Sequence, residues 1–205
     1  WSHVLSGNTF TSSAQAVTYT SITQGLVHSK DSILYFGYTN ATASYIASKN
    51  GAGGWNITAL TLPDTSLTVV SLCEYGNYLA IACKDTDSLG QTSRVFLWDR
   101  DSSVTTLAES IDWGLGALMW IQEIGGLLVG ASLNTDSTLI FGSTHSFKYY
   151  AGAAGAVEFA KFTGLGYSVF TSLGQIAQKV NNRIYFLASY ARDDGASGLA
   201  GVYSI

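Results

Sequence analysis

The sequence predicts an all-β fold, and two observations support this prediction. Short runs rich in Val, Ile, Leu and aromatic residues alternate with clusters of Gly, Asn, Asp and Ser, which is typical of strands joined by hairpins. Four of these runs align with one another, and they begin at Ile33, Tyr78, Leu127 and Ile184. A period of about 40 to 50 residues with four strands in each unit indicates a β-propeller.

The four-stranded repeat unit is clearest in segment 67–114. It predicts four consecutive strands that form an antiparallel meander, at residues 67–73, 78–83, 94–99 and 104–107. The first unit predicts equivalent strands at residues 22–28, 33–38, 44–48 and 55–60. The pattern divides the chain into an N-terminal segment, 1–20, followed by four blades at about 21–64, 65–114, 115–173 and 174–205.

The last unit ends after its third strand, at residues 199–203. The alternating run at residues 14–20 is therefore expected to close this blade as its fourth strand, or else to form a plain edge strand or arm. Because propellers close with about 4 to 8 blades, the four visible blades form a small closed ring or a piece of a larger one.

Composition narrows the function classes. With 205 residues and 47% apolar side chains, the chain can bury a substantial core as one domain. Only 12% of the residues are charged and the net charge is −4, which argues against binding to a phosphate backbone. No apolar run approaches the roughly 18 residues of a membrane span. We therefore expect no nucleic-acid partner, no membrane insertion and no cofactor.

The two cysteines, Cys73 and Cys83, fall on adjacent strands of one predicted hairpin. With the turn at residues 76–77, Cys73 lies opposite Ala80 and Cys83 opposite Val70. The two thiols are then roughly 10 Å apart, beyond the disulfide limit of about 7 Å. The sequence predicts two free, buried thiols that serve as small apolar groups.

Loops that join second to third strands share one rim of a propeller, and all of them are polar here. Exposed polar loops on a repeated scaffold are where recognition is usually carried. Asp85 and Asp87 would also supply oxygen ligands to a Ca²⁺ ion, although a solvated turn explains them as well. The candidate interaction residues in these loops are Lys84, Asp85, Asp87, Gln91, Asn134, Asp136, Arg192, Asp193 and Asp194.

Catalysis has little support in the sequence. The histidines His3, His28 and His145 lie in no recognised metal or nucleophile motif. His28, on an innermost strand, is the best single candidate for a functional imidazole, and a structural role is the more common one. A sialidase would need convergent arginines for the substrate carboxylate, whereas Arg94, Arg100, Arg183 and Arg192 fall at strand ends or in loops. No catalytic residue is predicted.

Two short motifs resemble those of known propellers. Ser48, Asn50 and Trp55 resemble the Asp-box of sialidase-type propellers, a hairpin-locking turn, with Asn in place of Asp. The dipeptide Trp98-Asp99 is similar to the one that names WD40 repeats. Both resemblances imply residues that build the fold without chemistry of their own.

A wider resemblance covers most of residues 20–205. Low charge, richness in Gly, Ser, Thr and Asn, and runs such as 77–82, 93–99 and 198–203 resemble the propeller domains of structural proteins of tailed bacteriophages. This resemblance implies a non-enzymatic structural and interaction module of a virion, such as a tail, nozzle or adhesion component. Its expected partners are other protein subunits. The alternatives are a secreted or surface glycan-binding propeller and, third, a sialidase-like glycoside hydrolase.

Overall fold

The protein is all-β. The computed structural model describes residues 2–6, 9–13, 18–23, 25–51, 54–85, 92–101, 109–135, 143–152, 155–163, 165–166, 177–190 and 200–205. These residues form nineteen strands and contain no helix. The first two strands, β1 (Ser2–Ser6) and β2 (Thr9–Ser13), form an antiparallel hairpin.

Four antiparallel sheets follow in chain order, and we number them I to IV. Sheet I contains β3 (Ser21–Ile22), β4 (Leu26–Val27), β5 (Leu34–Thr39), β6 (Ser44–Lys49) and β7 (Trp55–Thr61). Sheet II contains β8 (Leu67–Tyr75), β9 (Tyr78–Asp85), β10 (Thr92–Trp98) and β11 (Glu109–Leu115). Sheet III contains β12 (Ala117–Ile124), β13 (Leu127–Thr135), β14 (Ser143–Tyr150) and β15 (Val157–Thr163). Sheet IV contains β16 (Leu165–Gly166), β17 (Ala177–Val180), β18 (Arg183–Tyr190) and β19 (Ala200–Ser204).

Within sheets II and III the strands lie side by side in chain order, as the meander predicted. Sheets I and IV differ because two short strands share the position of the first strand. In sheet I, β3 and β4 both pair with β5. In sheet IV, β16 and β17 both pair with one side of β18, and β19 pairs with its other side.

Two-residue turns join the first and second strands of sheets II, III and IV. In each hairpin, the residue before the turn pairs with the residue after it. The first turn residue has a left-handed φ in all three: 60° at Gly76, 59° at Gly125 and 55° at Asn181. Two-residue hairpins favour turns with positive φ, and Gly and Asn adopt it at the lowest cost. These residues therefore fix the register of each hairpin.

Adjacent sheets pack face to face through three apolar clusters, one at each junction. A fully buried tryptophan lies in each cluster: Trp98 between sheets I and II, Trp113 between II and III, and Trp120 between III and IV. Sheets II and III thus have both faces covered, because each contributes to two clusters. A sheet buried on both faces depends on its neighbours for stability.

The cysteine prediction is confirmed. Both thiols are free and buried. Cys73 lies opposite Ala80, as expected, and Cys83 lies opposite Val69, one residue from the predicted Val70, because β8 carries a bulge there. The two cysteines also belong to different clusters, on opposite faces of sheet II.

The aligned runs are second strands of four different sheets, as predicted: β5 begins one residue after Ile33, β9 at Tyr78, β13 at Leu127, and β18 one residue before Ile184. Tyr78 and Leu127 themselves are exposed, because they close the hairpin turns, and the buried positions of β9 and β13 begin one residue later.

Three strand predictions need correction. The fourth strand of sheet II is β11, not residues 104–107, of which nothing further is described. The innermost strand predicted at 22–28 is split, because the Thr23 hydroxyl accepts a hydrogen bond from Gly37 N (2.8 Å) in place of a regular ladder. β16, in a stretch assigned to the third unit, pairs with sheet IV. Closure of sheet IV by residues 14–20 stays a prediction, because residues 14–17 lie outside the described part.

Candidate functional site

A groove of about 440 Å³ lies where strands of all four sheets meet. Each sheet contributes the end of one strand, namely β4, β8, β12 and β17, close to the turn into the second strand. The groove is therefore at the opposite end of the sheets from the loops that join second to third strands. Its lining residues are Gly25, Leu26, Val27, Ser29, Leu72, Cys73, Glu74, Gln122, Glu123, Gln178 and Lys179.

The charged side chains of the groove occupy equivalent places in three sheets. Glu74, Glu123 and Lys179 each stand two residues before a two-residue turn. Side chains alternate along a strand, so equal spacing from the turn brings the same position of each innermost strand to the groove. A charged residue two places before the turn is the sequence signal for this site, and none of these three residues is among the predicted site residues.

Glu123 and Lys179 link sheets III and IV at the groove. Lys179 Nζ lies 2.6 Å from Glu123 Oε2, and the backbone N–H of Gly126 donates to Glu123 Oε1 at 2.8 Å. The hydrogen bonds from Lys179 and from Gly126 lower the pKa of Glu123. Beside this pair, Gln122 Nε2 donates to Ala177 O at 3.0 Å. Both ion-pair partners retain contact with solvent, which limits the strength of the pair.

His28 is fully buried at the other side of the groove. Its Nε2 lies 3.2 Å from Tyr78 O, and the backbone N–H of Lys30 donates to Nδ1 at 3.2 Å. Both ring nitrogens thus have polar main-chain neighbours, and Arg100 Nη1 lies 2.5 Å from Nε2 as well. Glu74 Oε1 lies 3.6 Å from Nδ1 and accepts a hydrogen bond from Ser29 N. His28 is thus held from several sides, as a structural histidine would be.

Arg100 completes a polar network between sheets I and II. Its Nη1 lies 2.7 Å from His28 Nδ1. Its Nε lies 3.2 Å from Asp31 Oδ2, so Arg100 and Asp31 form an ion pair, but this N–H is not aligned for a hydrogen bond. Tyr35 donates its hydroxyl proton to the same Asp31 oxygen at 3.0 Å. Burial, and then the bond to Asp31, raises the pKa of Tyr35. A raised pKa is the opposite of what an activated tyrosine nucleophile requires.

Most of the predicted rim residues cannot be compared with the structure. Asp87, Gln91, Asp136 and the three residues 192–194 lie outside the described residues. Lys84 and Asp85 are the last two residues of β9, and Asn134 lies in β13 opposite Thr144. The interaction role of these residues stays a prediction. Among the described residues no group of three or more His, Cys, Asp or Glu side chains is placed to hold a metal ion.

One rim loop, 40–43, is described in full. Asn40 Oδ1 accepts hydrogen bonds from Thr42 N (2.8 Å), Thr42 Oγ1 (2.7 Å) and Ala43 N (3.0 Å). This Asx turn satisfies the local backbone. In this loop the polar side chain stabilises the turn itself.

The residues of the two short motifs lie in strands or directly after them. Ser48 lies in β6, Asn50 follows that strand, and Trp55 begins β7, where Lys49 Nζ lies 5.8 Å from the centre of its ring. Trp98 packs edge-on against Tyr35 of sheet I, with ring centres 5.9 Å apart. Asp99 Oδ1 accepts a hydrogen bond from Asp101 N at 3.0 Å.

The described arginines do not converge. Arg94 is exposed on β10 and Arg183 is exposed at the start of β18, while Arg100 is engaged with His28 and Asp31. Arg192 and the side chain of His145 lie outside the described part of the chain. The part of the chain that is described also contains no helix long and apolar enough to cross a bilayer.

Comparison with known proteins gives few matches. No protein-family model matches the chain, and no curated protein matches its sequence. Among solved structures, the chain is similar to the phage phi92 endosialidase at 13% sequence identity, with a TM-score of 0.47. The match covers 92% of this chain and 35% of the endosialidase chain, so this chain spans about a third of that protein's length.

Proposed function

We propose that this chain is a non-enzymatic interaction module, built as a β-propeller or as an arc of one, and that it serves as a structural component of a virion. Its partners in this proposal are other protein subunits of the particle. The observation that carries the architecture is the groove, which is bordered by one innermost strand from each of four successive sheets.

The packing supports a radial arrangement. Sheet I shares an apolar cluster with II, II with III, and III with IV, so contacts follow the order of the chain. The innermost strands β8 and β12 are also in contact, as are β12 and β17. Sheets that stack face to face while their first strands stay together are the parts from which a propeller is built.

The chemistry of the groove supports a role without catalysis. Glu123 is bonded to Lys179, and Glu74 is bonded to Ser29 N beside His28. A hydrolase needs a free base or nucleophile beside room for a substrate. Here the charged side chains join neighbouring strands, which is what a rigid scaffold requires.

The resemblance of the sequence to phage propeller domains supports the virion as the setting. A glycan-binding module is less well supported, because none of the described residues that line the groove has an aromatic side chain on which a sugar ring would stack. Polar loops at the opposite end of the sheets remain the surface that we propose for contacts with other subunits.

Quantitative mass spectrometry of purified particles from the source of the sequence tests this proposal. We expect peptides of the chain to purify with the particles, in a fixed ratio to the major coat protein through a density gradient. Peptides found only in the particle-free fraction would contradict the virion setting. A point mutation is not needed for this test, so failure to fold cannot obscure its result.

A further inference from the structure

An asparagine followed by a glycine lies directly after β6. Asn50 and Gly51 form the only Asn-Gly dipeptide in the sequence, and both residues are exposed. Lys49 and Trp55 form the last pair of the β6–β7 ladder on this side, so the dipeptide lies beyond the ladder. Gly51 has a left-handed φ of 37°, and a Cβ placed there would meet nothing within 4 Å. The Asn50 side chain and the Gly51 backbone nitrogen are therefore adjacent in an open turn.

These two groups can react with each other. The backbone nitrogen of Gly51, after losing its proton, attacks Cγ of Asn50. The bond from Cγ to the amide nitrogen breaks, ammonia leaves, and a five-membered succinimide ring forms. Water then adds to one of the two ring carbonyls and opens the ring, which gives aspartate or isoaspartate. The overall change consumes one water and releases one ammonia, and it needs no oxidant or other reactant.

Glycine favours this ring closure for a steric reason. It has no Cβ and adopts a wide range of backbone angles, so its nitrogen can approach the preceding side chain closely. A β-branched residue in the same place is stiffer and bulkier. Exposed turns are also the parts of a fold that move most easily. The Asn50–Gly51 step combines both conditions.

Two other asparagines of sheet I lack these conditions. Asn40 is followed by alanine, and its Oδ1 accepts three hydrogen bonds from within its own loop. Asn56 is exposed, but it lies within β7, pairs with Ser48 and is followed by Ile57. Both side chains are held where the attack on Cγ is hindered. They provide internal controls in the same chain.

We propose that Asn50 is a modification site, at which the folded chain converts spontaneously to aspartate and isoaspartate with water as the reactant. The chemistry is independent of the proposed function. Each event adds one negative charge to a chain of net charge −4, because an aspartate carboxyl with an ordinary pKa of about 4 is ionised at neutral pH. The isoaspartate product also lengthens the backbone by one carbon between β6 and β7.

Peptide mapping by mass spectrometry during incubation of the full chain tests the proposal. The peptide with Asn50 should gain about 1 Da, because the amide –NH₂ is replaced by –OH. We expect this gain at least about tenfold faster than at Asn40 or Asn56, which corresponds to about 1.4 kcal/mol in the activation free energy. Two products of equal mass should separate by chromatography. Circular dichroism verifies that the chain stays folded throughout.

Matched variants give a second reading by anion-exchange chromatography. Asn50→Gln keeps the amide but would need a larger ring, so the acidic form that accumulates with time should be absent. Asn56→Gln is the control, and it should accumulate the acidic form at the rate of the unmodified chain. Asn50→Asp should elute with the aspartate product from the beginning.

A comparison in urea shows whether the fold leaves Asn50 open. We expect its rate to change little when the chain unfolds, whereas the rate at Asn40 should rise because its hydrogen bonds are lost. Four results would overturn the proposal: equal rates at Asn50 and Asn56 in the folded chain, aspartate without isoaspartate, an acidic form that persists in folded Asn50→Gln, and conversion at Asn50 only in urea.

Discussion

Arg100 lies against the ring of His28, with Nη1 2.7 Å from Nδ1, although 72 residues separate them in the sequence. Arg100 also has a left-handed backbone, with φ of 69°, which is uncommon for a residue with a side chain. The contact joins the turn before β5 in sheet I to the end of β10 in sheet II. We interpret it as a polar link that holds two adjacent sheets together at the groove.

Arg100→Ala should therefore destabilise the protein by about 2 kcal/mol, because Asp31 and His28 lose their shared partner in a partly buried site. Arg94→Ala is the matched control, since Arg94 is exposed on β10, and it should change stability by less than about 0.5 kcal/mol. Denaturant unfolding of both variants measures the difference. Equal effects would show that the network contributes nothing beyond an ordinary surface arginine.

Glycine at position 130 is required by the close approach of two sheets. A Cβ there would lie 2.8 Å from the ring of Trp113 and 2.8 Å from the backbone oxygen of Trp120. Gly130→Ala should cost about 1 to 3 kcal/mol by overpacking. At Gly54 a Cβ meets nothing within 4 Å, so Gly54→Ala should be nearly neutral. Thermal unfolding distinguishes the two, and a stable Gly130→Ala would contradict the packing of sheets II and III.

The lowered pKa of Glu123 predicts a specific pH dependence. The pKa of Glu123 is lower in the folded protein than in the unfolded chain, so its carboxylate stabilises the fold at pH values above the unfolded pKa. This contribution to stability is lost as the pH falls through the folded pKa. Lys179→Met should raise the pKa of Glu123 toward its ordinary value, as measured by NMR titration. Lys84→Met, at the opposite end of the sheets, should leave it unchanged, and an equal shift in both variants would reject the pair.

Both native thiols should be unreactive in the folded protein. Burial raises the pKa of Cys73 to about 12 and that of Cys83 further. The thiolate is the reactive form, so labelling at pH 8 should be slower than for an ordinary cysteine by roughly 10³-fold or more. Timed labelling followed by mass spectrometry measures this rate, with Val27→Cys as the exposed control. Rapid labelling of Cys73 in folded protein would mean that the groove opens.

The sequence predicted the hairpins of sheets II and III well, because alternating strands and turn residues such as Gly76 are local signals. It placed the fourth strand of sheet II too early for a physical reason. Only Gly116 separates β11 from β12, so no polar loop marks the boundary, and Leu115 was read as the start of the next strand. The alternation of buried Ile111 and Trp113 was the available clue.

The groove could not be predicted in the same way. It exists because four strands, far apart in sequence, end at one place, and the contact between Arg100 and His28 depends on that arrangement. His28 could be singled out as an unusual residue on an innermost strand, but its partners Tyr78 and Glu74 come from another sheet. Tertiary packing determines these partners, and local patterns do not encode them.

A turnover assay tests the central claim, a module that binds and does not catalyse, most directly. The folded chain is incubated with a panel of sialosides and other glycosides, and released sugars are measured by mass spectrometry. We predict no product above the protein-free control. A product that forms with the unmodified chain and with Arg94→Ala, but is lost with the folded variants His28→Ala or Glu74→Gln, would contradict this account and identify the groove as an active site.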